Sequence, residues 1–235
     1  MTRAVGAMPP PVFFSPMTEI GLIQLLHLLL AGYWLGADLA VYLIASSVAD
    51  GRHPPAVRLF AARFMLLVDM VPRTCLVLAL ASGAHLAIRY FAPAQAHWIL
   101  PLWAGTLAWL VLIWMLYWRQ HHGGTPPRVL PLLDTFLRVG LVVALSIFAF
   151  GAFERGIAWL ALKLALFALI VLLGLIIRWQ LRRFAPLFQA SLAEPADESA
   201  RQALRRLIAE VKIPVWGIWL SVILIAFLGH LKPSF

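Results

Sequence analysis

The sequence predicts an all-α membrane protein, a bundle of six transmembrane helices plus one cytoplasmic amphipathic helix. Three observations carry that prediction. Of 235 residues, 63% are hydrophobic and 12% charged, with a mean hydropathy of +0.89. That is more apolar surface than a water-soluble fold of this length can bury. The apolar residues form six stretches, at 20–45, 64–91, 98–118, 131–153, 157–178 and 212–231, each near the roughly 20 residues that cross a bilayer. The basic residues concentrate in alternate connections, as orientation in a membrane demands.

Taken in order, the N-terminal MTRAVGAMPPPVFFSPM is not expected to be a signal peptide, because prolines interrupt the apolar region such a peptide needs. The first span follows at 20–45. Residues 46–63 contain ADGRHPP, a turn and an interfacial helix start. The second, third, fourth and fifth spans are joined by short connections. Residues 179–211 separate the fifth from the sixth. There Pro195, Asp197 and Glu198 read as a helix start, and Ala203, Leu204, Leu207 and Ile208 recur at helical spacing. This segment is read as an amphipathic helix on the membrane surface; docking of a partner protein is its alternative role.

Arg52, Arg58, Arg63, Arg119 and Arg128 lie in the first and third connections, and Arg178, Arg182, Arg183, Arg201, Arg205, Arg206 and Lys212 in and around the fifth. Arg3, Arg89, Arg155 and Lys232 fall on the other side. The richer side is predicted to be cytoplasmic. Both termini are then periplasmic, in a bacterial inner membrane. Topology and the lipid bilayer thus account for the net charge of +9 without nucleic acid. Cys75 is the one cysteine; it excludes an intrachain disulfide and is read as a small buried hydrophobe.

A short repeat links RFMLLVDMVPR (63–73) to RVLPLLDTFLR (128–138). Each holds an Asp-x-x-x-Arg pair, Asp69 with Arg73 and Asp134 with Arg138, on one helix face. They are read as snorkelling arginines paired for solvation, with a proton or ligand site as the alternative.

His27, His85, His230 and Lys163 come from four helices and fall in one leaflet. Two histidines on separate helices at similar depth are what hold a b-type haem in a membrane bundle. His27, His85 and His230 are therefore candidate metal ligands, with His85 the better second choice. Gly32, Gly36, Ala81, Ser82, Gly83 and Ala84 would let a flat ring approach the backbone. Arg89 and Arg155 could hold propionates. The alternative is that the small residues pack helices and each histidine makes one interhelical hydrogen bond. Asp38, with Tyr42 one turn on, is a candidate for moving protons or binding a cation; a structural pair with Arg73 is its alternative.

These residues resemble the HemJ-type protoporphyrinogen oxidases. His27 and Trp34 match that family's His-x6-Trp in the first helix. Pro72 and Gly83 match a proline and a glycine of its second. WLALKLALFALIVLLG (159–174) is similar to its lysine-bearing helix, which sets Lys163 on the functional lysine. Glu210, Pro214, Lys232 and Pro233 match its closing pattern. The related CopD-type membrane proteins share the first-helix WLG. The resemblance covers about four of the six helices and treats the third and fourth as inserted. It implies a haem b-binding redox protein, with His27 an axial ligand, Trp34 beside it and Lys163 carrying protons or anchoring a carboxylate. The protein would be either an oxidase or an electron-transfer anchor for a membrane or periplasmic redox partner. The chain departs from the family at ADLAVYLIASS (37–47), which lacks the family's arginine and histidine. Copper transport is the CopD-like alternative, through Met65, Met70, Cys75 and Met115, although no Met-x-x-Met or Cys-x-x-Cys occurs. A non-catalytic assembly subunit is the third reading, and oligomeric state is left open. No phosphate-binding glycine loop or HExxH is present.

Overall fold

The computed structural model describes residues 16–121, 127, 129–193 and 198–231. Arg3, Arg128, Pro195, Asp197, Lys232 and Pro233, invoked above, lie outside them. The described residues form α1 (Pro16–Ala49), α2 (Pro55–Val68), α3 (Met70–Phe91), α4 (Ile99–His121), α5 (Val129–Glu154), α6 (Ala158–Gln180), α7 (Phe184–Leu192) and α8 (Glu198–Leu231), with 3-10 turns at Pro93–Trp98 and Leu181–Arg183. Six helical segments are long and apolar enough to cross a membrane, α2 and α3 together making the second. The fold is an all-α membrane bundle.

Prolines set most of the helix starts. Pro55, Pro72, Pro101, Pro131 and Pro186 each lie in a first turn, where the N–H they lack has no intrahelical acceptor anyway. Pro72 also explains why the second span is broken. Its ring cannot accept the carbonyl four residues back, and α2 ends at that residue, Val68. At the α5–α6 turn Gly156 has φ +74°. Its N–H bonds the Phe153 carbonyl at 2.9 Å and the Ile157 N–H bonds the Ala152 carbonyl at 3.0 Å, the pair of bonds that defines a Schellman cap. Gly156→Ala has open space for its Cβ, so backbone strain alone should lower stability, by about 1 kcal/mol. A thermal melt in detergent checks this.

The spans close into a ring in the order α1, α3, α4, α5, α6, α8 and back to α1. The centre is filled by Leu30 and Trp34 of α1, Met70, Leu76 and Val77 of α3, Ile113 of α4, Ile170 and Val171 of α6, and Ile218 and Val222 of α8. Gly217 of α8 makes room for α6, since a Cβ there would come within 2.9 Å of the Leu173 side chain. A second core joins α1, α2, α7 and α8 through Val48, Ala62, Met65, Phe188 and Leu204.

Two boundaries differ from expectation. The amphipathic segment 179–211 is not one separate helix. It divides into a 3-10 turn, α7 and the first part of α8, which runs unbroken for 34 residues through the expected boundary at 212. Pro214 lies inside it and removes one backbone bond, but packing against α7 on one side of the proline and α6 on the other holds the helix together. Arg58, counted above as a loop cation, lies in α2 and is 2% exposed.

Candidate functional site

The polar residues form two layers with a dry zone between them. The first layer begins at the start of α1. Glu19 meets two groups that α3 brings past it. The Arg89 guanidinium reaches both Glu19 carboxylate oxygens, at 2.7 and 2.6 Å, and His85 Nε2 lies 2.9 Å from Oε1. From α4, the Trp103 indole N–H donates to His85 Nδ1 at 3.1 Å. An indole nitrogen can only donate. Nδ1 of His85 therefore accepts, and the proton of the neutral ring sits on Nε2, directed at Glu19.

One turn along α3, Ser82 takes His27 of α1. His27 Nδ1 lies 2.8 Å from Ser82 Oγ. The Ser82 hydroxyl also lies 2.8 Å from the Leu78 carbonyl and 3.2 Å from the Ala79 carbonyl. When it donates to either of them its oxygen accepts from His27 Nδ1, and in that tautomer the lone pair of neutral His27 falls on Nε2. Gly83 is the floor under the ring, where a Cβ would come within 3.2 Å of His27 Cε1. Lys163 of α6 is close enough to interact electrostatically with His27. Its Nζ packs on Gly229 of α8, where a Cβ would lie at 3.0 Å.

The second layer lies toward the α7 side. Asp38 sits beside Trp34, one turn earlier on α1; the Trp219 indole N–H is near it without forming a good hydrogen bond. Asp69 is ion-paired with Arg73, so Arg73 is not the partner of Asp38. Asp134 is fully buried. It accepts from Trp109 Nε1 at 2.9 Å, Arg138 Nε at 3.2 Å and an Arg178 terminal nitrogen at 2.5 Å. Arg138 is 5% exposed, a core residue and no snorkelling one, with its guanidinium carbon 5.6 Å from the Trp109 ring centre. Between the layers lie Leu30, Trp34, Leu76, Val77, Ile170 and Val171. Trp34, 5% exposed, presents its edge to Phe167 at 6.3 Å.

No family model, curated protein or solved structure matches this chain.

His27 and Lys163 come within electrostatic reach of each other, whereas His85 belongs to the Glu19 cluster, Trp34 packs in the apolar zone, Asp38 lies in the second layer, and His230 and Arg155 face outward. His230 is exposed on the outside of α8. Arg155 is exposed at the end of α5, its Nε bonded to the Gly151 carbonyl of its own helix at 2.8 Å. Arg89 is present but occupied by Glu19. A haem held by His27 and His85 does not fit this arrangement. Iron needs a free imidazole lone pair from each, and both nitrogens of His85 are already engaged. His27 has one close side-chain partner, Ser82, at Nδ1. Among the described residues, no three His, Cys, Asp or Glu side chains group to hold a metal. The sulfur candidates for copper are also divided: Met65 belongs to the second core, Met70 and Cys75 to the first.

Glu19, Trp103 and Trp109 are not singled out by the sequence, and Ser82 and Arg178 are read there only as a small residue and a topological cation. Glu19 had a usable signal. It is an acid at the mouth of a span, at the depth where an antiparallel neighbour carries His85 and Arg89.

Proposed function

We propose that this chain is a redox protein of the bacterial inner membrane, HemJ-like in kind, with its α7 side in the cytoplasm and its working site at His27 and Lys163. The meeting of these two residues supports the reading best. They are far apart in sequence, each was marked by the resemblance, and the bundle brings them within electrostatic reach. Oxidising a porphyrinogen removes protons as well as electrons. His27 Nε2 is the proton acceptor this site offers, held in orientation by Ser82. The Lys163 ammonium supplies a partner for a substrate carboxylate. Electrons pass to a partner in or at the membrane.

The test is porphyrinogen oxidation by membranes containing the protein, read as porphyrin fluorescence. The expected result is a rate above that of membranes lacking it, with His27→Ala and Lys163→Met at background. Gly83→Val should also fall to background, because the added side chain must push the His27 ring off Ser82. No acceleration by the unaltered protein would defeat the proposal. A reduced-minus-oxidised spectrum of the same preparations reads haem b. Any b-type band should depend on His27 and survive His85→Gln.

A further inference from the structure

Outside the polar layers lies a cleft of about 720 Å³ where the 3-10 turn Leu181–Arg183, α7 and the first part of α8 meet. Its floor is apolar, from Pro186, Leu187, Ala203 and Leu207, and its walls carry Arg182, Arg183, Arg206, Ser199 and Gln202. Arg183 is partly neutralised by Glu210, at 3.1 Å. Among the described residues, no carboxylate lies within 4.0 Å of Arg182 or Arg206. The cleft is thus a concave, partly apolar surface with two guanidiniums that no carboxylate of the described residues opposes within 4.0 Å.

Its position narrows the choice of ligand. The turn continues directly from α6, whose 23 residues make about 34 Å of helix, slightly more than the ~30 Å hydrocarbon thickness. Trp179, 64% exposed just before the turn, fits the headgroup level that tryptophan favours. The cleft therefore opens where phosphates of the adjoining leaflet lie. Arginines on one wall can bind a phosphate through charge-assisted hydrogen bonds, and Gln202 can add a neutral one to a glycerol hydroxyl. The apolar floor suits the first carbons of an acyl chain.

We propose that this cleft is a binding site for the headgroup of an acidic phospholipid from the surrounding bilayer. The lipid would join α7 to α8 and so brace the end of the bundle opposite the His27 site. The proposal is independent of the redox reading.

The purified full chain in detergent would be melted with a short-chain phosphatidylglycerol, a short-chain phosphatidylcholine or inorganic phosphate at equal concentration. The expected result is a rise in Tm of several degrees with phosphatidylglycerol alone, and a loss of at least fivefold in apparent affinity in Arg182→Gln/Arg206→Gln. Arg119→Gln, which removes a charge elsewhere, should keep the full response. An equal response to phosphatidylcholine overturns the proposal, because the arginines would then be irrelevant. An equal response to inorganic phosphate also overturns it, in favour of a soluble-anion site. Native mass spectrometry of the unaltered protein gives a check that needs no variant: phosphatidylglycerol should be retained over phosphatidylcholine, and equal retention counts against the site.

Discussion

Replacing Asp134 by alanine should cost about 3–5 kcal/mol, the usual loss when one partner of a buried ion pair is removed. The reason is the company Asp134 keeps. Among the described residues it is the one carboxylate within 4.0 Å of Arg138, which is buried, and of Arg178, which is one-third exposed, and it also accepts the Trp109 indole proton. Its removal leaves a buried guanidinium without its carboxylate and the N–H of a half-buried indole without its acceptor. Arg138 already has one terminal nitrogen unsatisfied, so it has nothing in reserve. The contrasting case is Asp69→Ala in the other Asp-x-x-x-Arg pair. There the side chains are 27% and 39% exposed, water can replace the lost partner, and the expected cost is under about 1 kcal/mol. Thermal or denaturant melts of both variants in one detergent decide the matter. Equal losses would show that burial is not what separates the pairs. Asp134→Leu combined with Arg138→Met should recover most of the stability, because an apolar replacement of a buried pair removes the stranded charge.

These twin motifs show what the sequence could and could not say. Spacing of four places both charges on one face, and both pairs form as that spacing requires. Spacing says nothing about which face the ring of helices encloses. That depends on α4 and α6, which bring Trp109 and Arg178 to Asp134 and have no counterpart at Asp69. The same limit applied to the candidate site. Depth along each span could be computed from helical rise, and it placed His27 and Lys163 together. Rotation about each helix axis could not, so His230 was grouped with them although it faces outward. Hydrogen-bond competition was also invisible. His85 has the depth of a ligand, but a neighbouring indole that can only donate takes one of its nitrogens. The six spans were legible because the apolar runs are long. The segment 179–211 was not, because Pro214 reads as a boundary in sequence and the packing on either side of it holds α8 continuous.

Arg58 gives the second large effect, and it separates charge from burial most directly. The positive-inside rule counts Arg52 and Arg58 alike. In the fold they differ completely: Arg52 is 91% exposed beside Asp50, whereas Arg58 is buried. Its Nε donates to the Val48 carbonyl at 3.0 Å, and its terminal nitrogens to the Ser191 carbonyl at 3.1 Å and the Ser191 hydroxyl at 2.8 Å. Val48 and Ser191 are each next to last in their helices, so one guanidinium caps the C-termini of both α1 and α7, where carbonyls lack intrahelical donors and a cation is favoured. It also lies 5.6 Å from the Phe188 ring centre. Arg58→Ala leaves two buried carbonyls unpaired, at ~1–3 kcal/mol each, and should lower stability by about 3 kcal/mol. Arg58→Lys should recover only a minor part, since a single ammonium cannot span three acceptors in the guanidinium fork. Arg52→Ala should change stability by less than about 0.5 kcal/mol. Because α7 is a short helix held largely by this contact and by α8, its release should show first in hydrogen exchange. The amides of 184–192 should lose protection in Arg58→Ala while those of α3 and α6 keep theirs. Uniform loss of protection across the bundle would instead mean that Arg58 supports the whole fold and not one junction.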